Sequence, residues 1–342
     1  MEPIAMQYAQ QAVLEAMKEA IEQDDICSWL ISDESQVPNQ ELALKGSLDG
    51  SLATLDLSEA SDRVSNQHVR GLLANHPHLF GLVDACRSRK ADVPGHGVIR
   101  LAKFASMGSA LCFPFESMVF ATLVFLGIER KLNRQITRRD IKSYRGKVRI
   151  YGDDIIVPAE FVPSVISVLE TFGFRVNTDK SFWTGKFRES CGKEYFSGVD
   201  VSIIKLREMF PTSRKDVSEI VSTVSLRNKL FTAGFVKTVD LLDEWIERLI
   251  PFPFIQSETS PVLGRLSYSG QYTVHSMHPT LHVPLVKGVV LRAVLPRDHL
   301  DGDGALLKFF LKRGSDPLPR EHLERSGRPV SVSIKTRLAT PY

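Results

Sequence analysis

From Ile4 to Ile21 the apolar residues Met6, Ala9, Val13, Met17, Ala20 and Ile21 recur at threes and fours, with Glu15, Lys18, Glu19 and Glu22 between them. That period predicts an amphipathic helix. Residues 32–39 are polar and contain Pro38, and Gly46 and Gly50 then bracket Ser47-Leu48-Asp49, which predicts an irregular approach to the apolar run Leu52-Ala53-Thr54-Leu55. The run reads as a strand ending in Asp56. The capping side chains of residues 56–62 predict a turn into a helix near Ser58, continuing through Val64, Val69 and Leu72 until Pro77 stops it. Pro94-Gly95-His96-Gly97 reads as a loop, and the apolar stretch from Leu111 to Leu126 as a buried helix. Val148-Arg149-Ile150-Tyr151 and Ile155-Ile156-Val157 flank Gly152-Asp153-Asp154, which predicts a hairpin with carboxylates at its tip. Residues 161–172 predict a helix stopped by Gly173, with strands at 174–176 and 195–201 and helices at 216–230 and 238–250. From Pro251 on, Pro, Gly and His punctuate short apolar bursts and give no clear architecture.

The chain has 342 residues, 43% hydrophobic and 24% charged, which excludes a disordered, collagen-like or disulfide-scaffold protein and predicts two lobes. A net charge of +3 is too mild for whole-chain attraction to polyanions, so a nucleic-acid surface has to be local. The strongest local charge is the run Arg130, Lys131, Arg134, Arg138, Arg139, Lys142, Arg145, Lys147 and Arg149, with Asp140 as its single acid. It suits a surface that tracks a phosphate backbone, and equally a solvated face. Cys27, Cys86, Cys112 and Cys191 are far apart and form no zinc or disulfide pattern. A reducing compartment fits them. No basic N-terminal region leads into an apolar core, and no uncharged apolar stretch reaches the roughly 18 residues of a membrane span, so no membrane association is expected.

The sharpest candidate chemistry is Asp56 at one strand end together with Asp153 and Asp154 in an apolar hairpin. Carboxylates flanked by core strands repel one another unless a cation offsets them. Their hard oxygens suit Mg²⁺, and two such ions clamp the attacking and leaving oxygens of an in-line displacement. A Gly-Asp-Asp tripeptide alone is weak, since turn chemistry explains an isolated one better than a metal does.

The surrounding residues carry more. Residues 46–62 (Gly46-Ser47-Leu48-Asp49-Gly50 through Leu55-Asp56 to Ser61-Asp62), Ser106-Met107-Gly108 with Phe115-Glu116-Ser117, and Tyr151-Gly152-Asp153-Asp154-Ile155-Ile156 match motifs A, B and C of one polymerase family. Asn177-Thr178-Asp179-Lys180-Ser181-Phe182 and residues 187–201 match its region after motif C. The chain resembles the beta subunit of RNA-phage (levivirus, Q-beta type) replicases, which are RNA-directed RNA polymerases. The resemblance covers residues 1–201 well and the remainder loosely.

The resemblance implies an α+β right-hand fold: a fingers remnant at 1–46, a palm at 47–210 with an antiparallel sheet and helices on one face, and a mostly helical thumb and C-terminal region at 211–342. It implies Asp56, Asp153 and Asp154 as ligands of two Mg²⁺ ions, with Mn²⁺ as a substitute. Asp62, Ser106, Gly108 and Ser109 would lie near the incoming ribose, with a helix cap as the alternative for Asp62. Lys180 would protonate or stabilise the pyrophosphate leaving group, with a plain surface lysine as the alternative. Relatives carry Asn-Gly where this chain has Ser109-Ala110, so a shorter hydroxyl replaces a ribose-contacting asparagine. Met1-Glu2-Pro3 resembles the middle of a family chain, just after the basic motif F, so the chain is expected to be N-terminally truncated.

The implied partners are template and product RNA, ribonucleoside triphosphates, host elongation factors Tu and Ts and a small-subunit ribosomal protein, in the cytoplasm of a bacterial host. The competing expectations are a noncatalytic RNA-binding or assembly fragment and a reverse transcriptase. His275, His278 and His282 are read as ordinary loop histidines, because Pro279 and Pro284 interrupt any helix.

Overall fold

The computed structural model describes residues 4–105, 108–294 and 331–342, together with 302–304, 307 and 311. They divide into two compact units, residues 1–203 and 204–342. The architecture is mixed, with helices and antiparallel sheets.

The first unit opens with helices α1 (Ile4–Gln23), α2 (Cys27–Leu30) and α3 (Val37–Asp49). Helix α3 occupies part of the segment expected to be irregular: Pro38 sits in its first turn, where a missing N–H costs nothing. Asn39, Ala43, Gly46 and Ser47 form its buried face. Gly46 is needed there, because a Cβ would lie 2.7 Å from the Leu52 carbonyl oxygen. Strand β1 (Leu52–Leu55) follows, then β2 (Leu57–Ser58) and two helices, α4 (Ala60–Arg63) and α5 (Asn66–Leu72), where one was expected, and after them α6 (Pro77–Cys86). Val64 is extended, Ser65 caps α5 through a capping box, and Pro77 begins α6 instead of ending a helix.

A hairpin, β3 (Lys90–Val93) and β4 (Gly97–Arg100), precedes α7 (Cys112–Leu132) and α8 (Arg138–Ser143). Helix α7 is long and apolar enough, by length and composition, to cross a bilayer, yet 67% of its most apolar window is buried inside the molecule. Ser117, Phe120, Val124 and Ile128, spaced by threes and fours, are fully buried and make it a core helix. Strands β5 (Arg149–Tyr151) and β6 (Asp154–Pro158), helix α9 (Val162–Thr171), and strands β7 (Arg175–Val176), β8 (Phe187–Ser190), β9 (Lys193–Phe196) and β10 (Val199–Asp200) complete the unit.

Its central sheet has the order β1-β6-β5, all antiparallel. Ile155, Ile156 and Val157 in the middle strand are completely buried, which accounts for an unbroken apolar run where a half-exposed strand would alternate. The outer edge of β1 is closed by Phe182, whose backbone exchanges two hydrogen bonds with Thr54, and by the fully buried Arg188, whose Nε donates to the Leu52 carbonyl at 2.6 Å.

The second unit contains α10 (Val217–Thr232), α11 (Val236–Leu249) and a four-stranded antiparallel sheet of β11 (Val262–Leu263), β12 (Ser276–Met277), β13 (Pro284–Val294) and β14 (Ser331–Ala339). Ile220, Val224, Leu242, Ile246 and Val289 form its core. Residues 211–342 are thus less helical than expected, because β13 and β14, remote in sequence, pair over nine positions. Residues 302–304 are helical.

Candidate active site

Strand register brings the three aspartates to one end of the central sheet. Leu55 of β1 faces Ile155 of β6 in an antiparallel ladder, so the next step along each strand sets Asp56 level with Asp154. Tyr151 pairs with Asp154, which leaves Gly152-Asp153 as a two-residue hairpin loop. Gly152 has φ +60°, the conformation such a loop favours at its first position. A Cβ there would also lie 2.6 Å from Phe113 Cε2 and 3.1 Å from Glu116 Oε1, so helix α7 sits directly under the turn. Ser117 Oγ of α7 accepts the Gly152 N–H at 3.1 Å.

Asp56 receives a hydrogen bond at Oδ2 from Asn177 Nδ2, at 3.0 Å, and its main-chain N–H donates to Ser181 Oγ, also at 3.0 Å. Burial, helped by the charge of Asp153, raises its pKa above the usual carboxylate range, against the pull of Asn177 and Lys180. Burial likewise raises Asp154, whose carboxylate accepts from the Cys191 N–H and from Ser190 Oγ. A small cavity of about 20 Å³, the size of one water, is lined by Leu55, Asp56, Asp154, Lys180 and Glu189. Glu189 is raised by burial and by its acidic neighbours, and Lys180 opposes that shift. Glu116, 6% exposed, is pushed up to about 7 by burial and then by Asp153.

Too much negative charge is therefore held in too little water. Among the described residues no three His, Cys, Asp or Glu side chains form a ready metal cage. The donor set is nonetheless all oxygen, and Mg²⁺ ordinarily takes one or two carboxylates and completes its shell with water and substrate phosphate. Asp56 and Asp153 fit that role, with Asp154 alongside.

The other expected residues are distributed differently. Asp62 lies in α4 without capping it, and its carboxylate pairs with Lys103 at 2.7 Å. Gly108 has φ +97° and its carbonyl accepts from Gln7 Nε2, while Ser109 Oγ donates to Gln10 Oε1 at 3.0 Å, so both are tied to α1. Ser106 lies outside the described residues. Lys180 is exposed beside the Asp56 cavity.

The basic run is broken up. Arg134 pairs with Asp140, Arg138 with Asp24 and Asp25, Lys142 with Asp25, and Arg149 is buried in β5. Acids from the α1–α2 turn, distant in sequence, neutralise Arg138 and Lys142, while Arg130, Lys131, Arg139, Arg145 and Lys147 are exposed. Glu116, Asn177, Glu189 and Ser190 belong to the site without having been singled out. Glu116 had a signal, as a lone carboxylate within an apolar helical run.

The profile of the family described as RNA replicase, beta-chain matches residues 1–221, well over half of the sequence. The chain belongs to the RNA replicase beta-chain family. The RNA-directed RNA polymerase beta chain of Enterobacteria phage fr is 38% identical over 63% of this chain and 37% of its own length. That of Escherichia phage MS2 is 38% identical over 58% and 32%. The RNA-directed RNA polymerase subunit beta of Qbeta virus (strain MX1) is 41% identical over 52% and 28%. The chain spans about a third of the length of these relatives. The replicase profile covers the whole of the first unit and reaches Val221 in α10 of the second.

Proposed function

We propose that this chain carries the catalytic palm of an RNA-directed RNA polymerase, with a part of the fingers before it and a thumb after it, and that it extends RNA on an RNA template. One observation carries the reading: strand register sets Asp56 beside the Asp153-Asp154 hairpin in a chain of the replicase beta-chain family. Asp56 and Asp153, with Asp154 beside them, would hold two Mg²⁺ ions. Metal ions held there would supply charge that lowers the pKa of the RNA 3′-hydroxyl and offsets the leaving pyrophosphate.

The chain's own residues do the rest. Asn177 orients the Asp56 carboxylate, and Ser117 fixes the hairpin turn by accepting the Gly152 N–H. Lys180, which lines the cavity beside Asp56, would give the leaving pyrophosphate a proton or offset its charge. Asp62, held by Lys103, together with Gly108 and Ser109 would face the incoming ribose, where a hydrogen bond to the 2′-hydroxyl selects ribonucleotides. Host elongation factors Tu and Ts and a small-subunit ribosomal protein in the bacterial cytoplasm complete the proposal.

Primer extension on an RNA template with Mg²⁺ or Mn²⁺ tests it. Asp153→Asn should reduce ribonucleotide incorporation at least about 100-fold, the order of effect of losing one transition-state charge contact. Equal incorporation by both proteins removes Asp153 from the chemistry. No incorporation by either, with RNA still bound, favours a noncatalytic RNA-binding fragment.

A further inference from the structure

The Asp154 carboxylate is held from the protein side at both oxygens: Oδ1 accepts from Ser190 Oγ at 3.1 Å and Oδ2 from the Cys191 N–H at 3.2 Å. Behind Ser190 stands Asn39 of α3, fully buried. Asn39 Nδ2 donates to Ser190 Oγ at 3.4 Å and to the Asp154 main-chain carbonyl at 3.5 Å. Asn39 Oδ1 accepts from Arg149 Nε at 3.0 Å. Arg149 Nη1 donates to the Trp29 carbonyl and Nη2 to those of Ser32 and Ser35, so among the described residues its hydrogen-bond acceptors are all neutral.

Chemistry fixes the direction of this relay. A guanidinium has donors and no acceptor, so Asn39 must turn its oxygen to Arg149 and its NH₂ to Ser190. The Ser190 oxygen therefore receives, and its own proton goes to Asp154 Oδ1 at 3.1 Å in preference to the weaker acceptor Cys191 Sγ at 3.8 Å. Each bond polarises the next, so a buried cation with no ion pair among the described residues can act through two side chains on Asp154. Asn39 and Arg149 are 110 residues apart in sequence, and α3 links β5 to the end of β8, whose Ser190 bonds the Asp154 carboxylate.

We propose that Asn39 and Ser190, backed by Arg149, are positioning residues that hold the Asp154 carboxylate in one orientation beside Asp56 and Asp153 and thereby set the affinity of the site for a divalent cation. The inference rests on the reading of this site as a cation site. Residues behind metal-binding groups have effects of this kind, typically about 10- to 100-fold in metal affinity. A plain structural tie between α3 and β5 would instead act on folding alone.

The test is Mn²⁺ titration of the 342-residue chain, read by loss of the free-ion electron paramagnetic resonance signal, for the unchanged chain, Asn39→Asp, Ser190→Ala and the double variant. Asn39→Asp keeps the size of the side chain and gives Arg149 an acceptor, but it has no N–H for Ser190 and draws the serine proton away from Asp154. Each single variant should weaken Mn²⁺ binding about tenfold or more. The effect of Asn39→Asp should disappear in the Ser190→Ala background, because the group it acts through is gone.

Equal effects of Asn39→Asp in both backgrounds, or no effect at all, overturn the proposal. Should Asn39→Asp not fold, Ser190→Ala alone decides: affinity equal to that of the unchanged chain overturns it, and a tenfold loss supports it. An unchanged chain that binds no Mn²⁺ sinks the cation-site reading itself. Binding that survives both substitutions sinks only the positioning role.

Discussion

In the unit of residues 204–342, Arg227 has a side chain only 3% exposed and is answered by Asp243, with hydrogen bonds of 2.6 and 2.9 Å to its two carboxylate oxygens. Arg265 adds a second cation near Asp243, at 3.6 Å. In the unit of residues 1–203, Arg149 is 5% exposed and donates to neutral groups alone, while Asp154 and Glu116, in the same unit, have no ion pair among the described residues. The first arrangement is complete in itself. The second leaves buried carboxylates with raised pKa values, a state that gains from a cation supplied from outside. Where charge balances locally the fold is being held; where it does not, a ligand is anticipated.

The comparison can be broken most directly in the second unit. Asp243→Ala leaves a buried guanidinium without its carboxylate and should destabilise that unit by about 3–5 kcal/mol in urea denaturation. A change near zero would show that the pair is not what balances Arg227. Next in size is Gly152→Ala, which forces an L-residue to a positive φ and pushes a methyl group against Phe113. It should cost about 1–3 kcal/mol in the same measurement, together with a loss of Mn²⁺ binding.

A pH series sharpens the contrast further. Asp56, Asp154 and Glu116 all have folded pKa values raised by burial, so the folded state binds more protons than the unfolded one. Their stabilisation is present below the unfolded pKa and is lost as pH rises through the folded value, which for Glu116 is about 7. The melting temperature should therefore fall between about pH 5 and pH 8, and Glu116→Gln should remove part of that slope. An unchanged slope would separate Glu116 from the effect. The smallest expected change is at the exposed pairs of the basic segment: Arg138→Ala, which loses Asp24 and Asp25, should shift the melting temperature by no more than about 2–4 °C.

The central sheet was legible because its strands are short apolar runs punctuated by Asp56 and by a Gly-Asp turn, and local chemistry is enough to place both. Helix α7 was legible for the same reason. Pro77 was misread because proline ends one helix and begins another with equal ease, and only the packing around it selects between them. The pairing of β13 with β14 was hidden, since the two strands lie far apart in sequence and each alone is a short apolar burst. The partial neutralisation of the basic run was hidden for a related reason: the acids that pair with Arg138 and Lys142 come from the turn after α1, and Arg149 is turned inward by its place in β5.

What the sequence determined by itself is the local part of this protein: the identity and spacing of the aspartates, the turn that presents two of them, and the family to which they belong. Only the tertiary structure decided which charges remain unanswered. Ion pairing and burial depend on distance in space, and Asn39, Arg149, Asp154 and Ser190 become neighbours only when α3 packs on the sheet and β8 returns beside it.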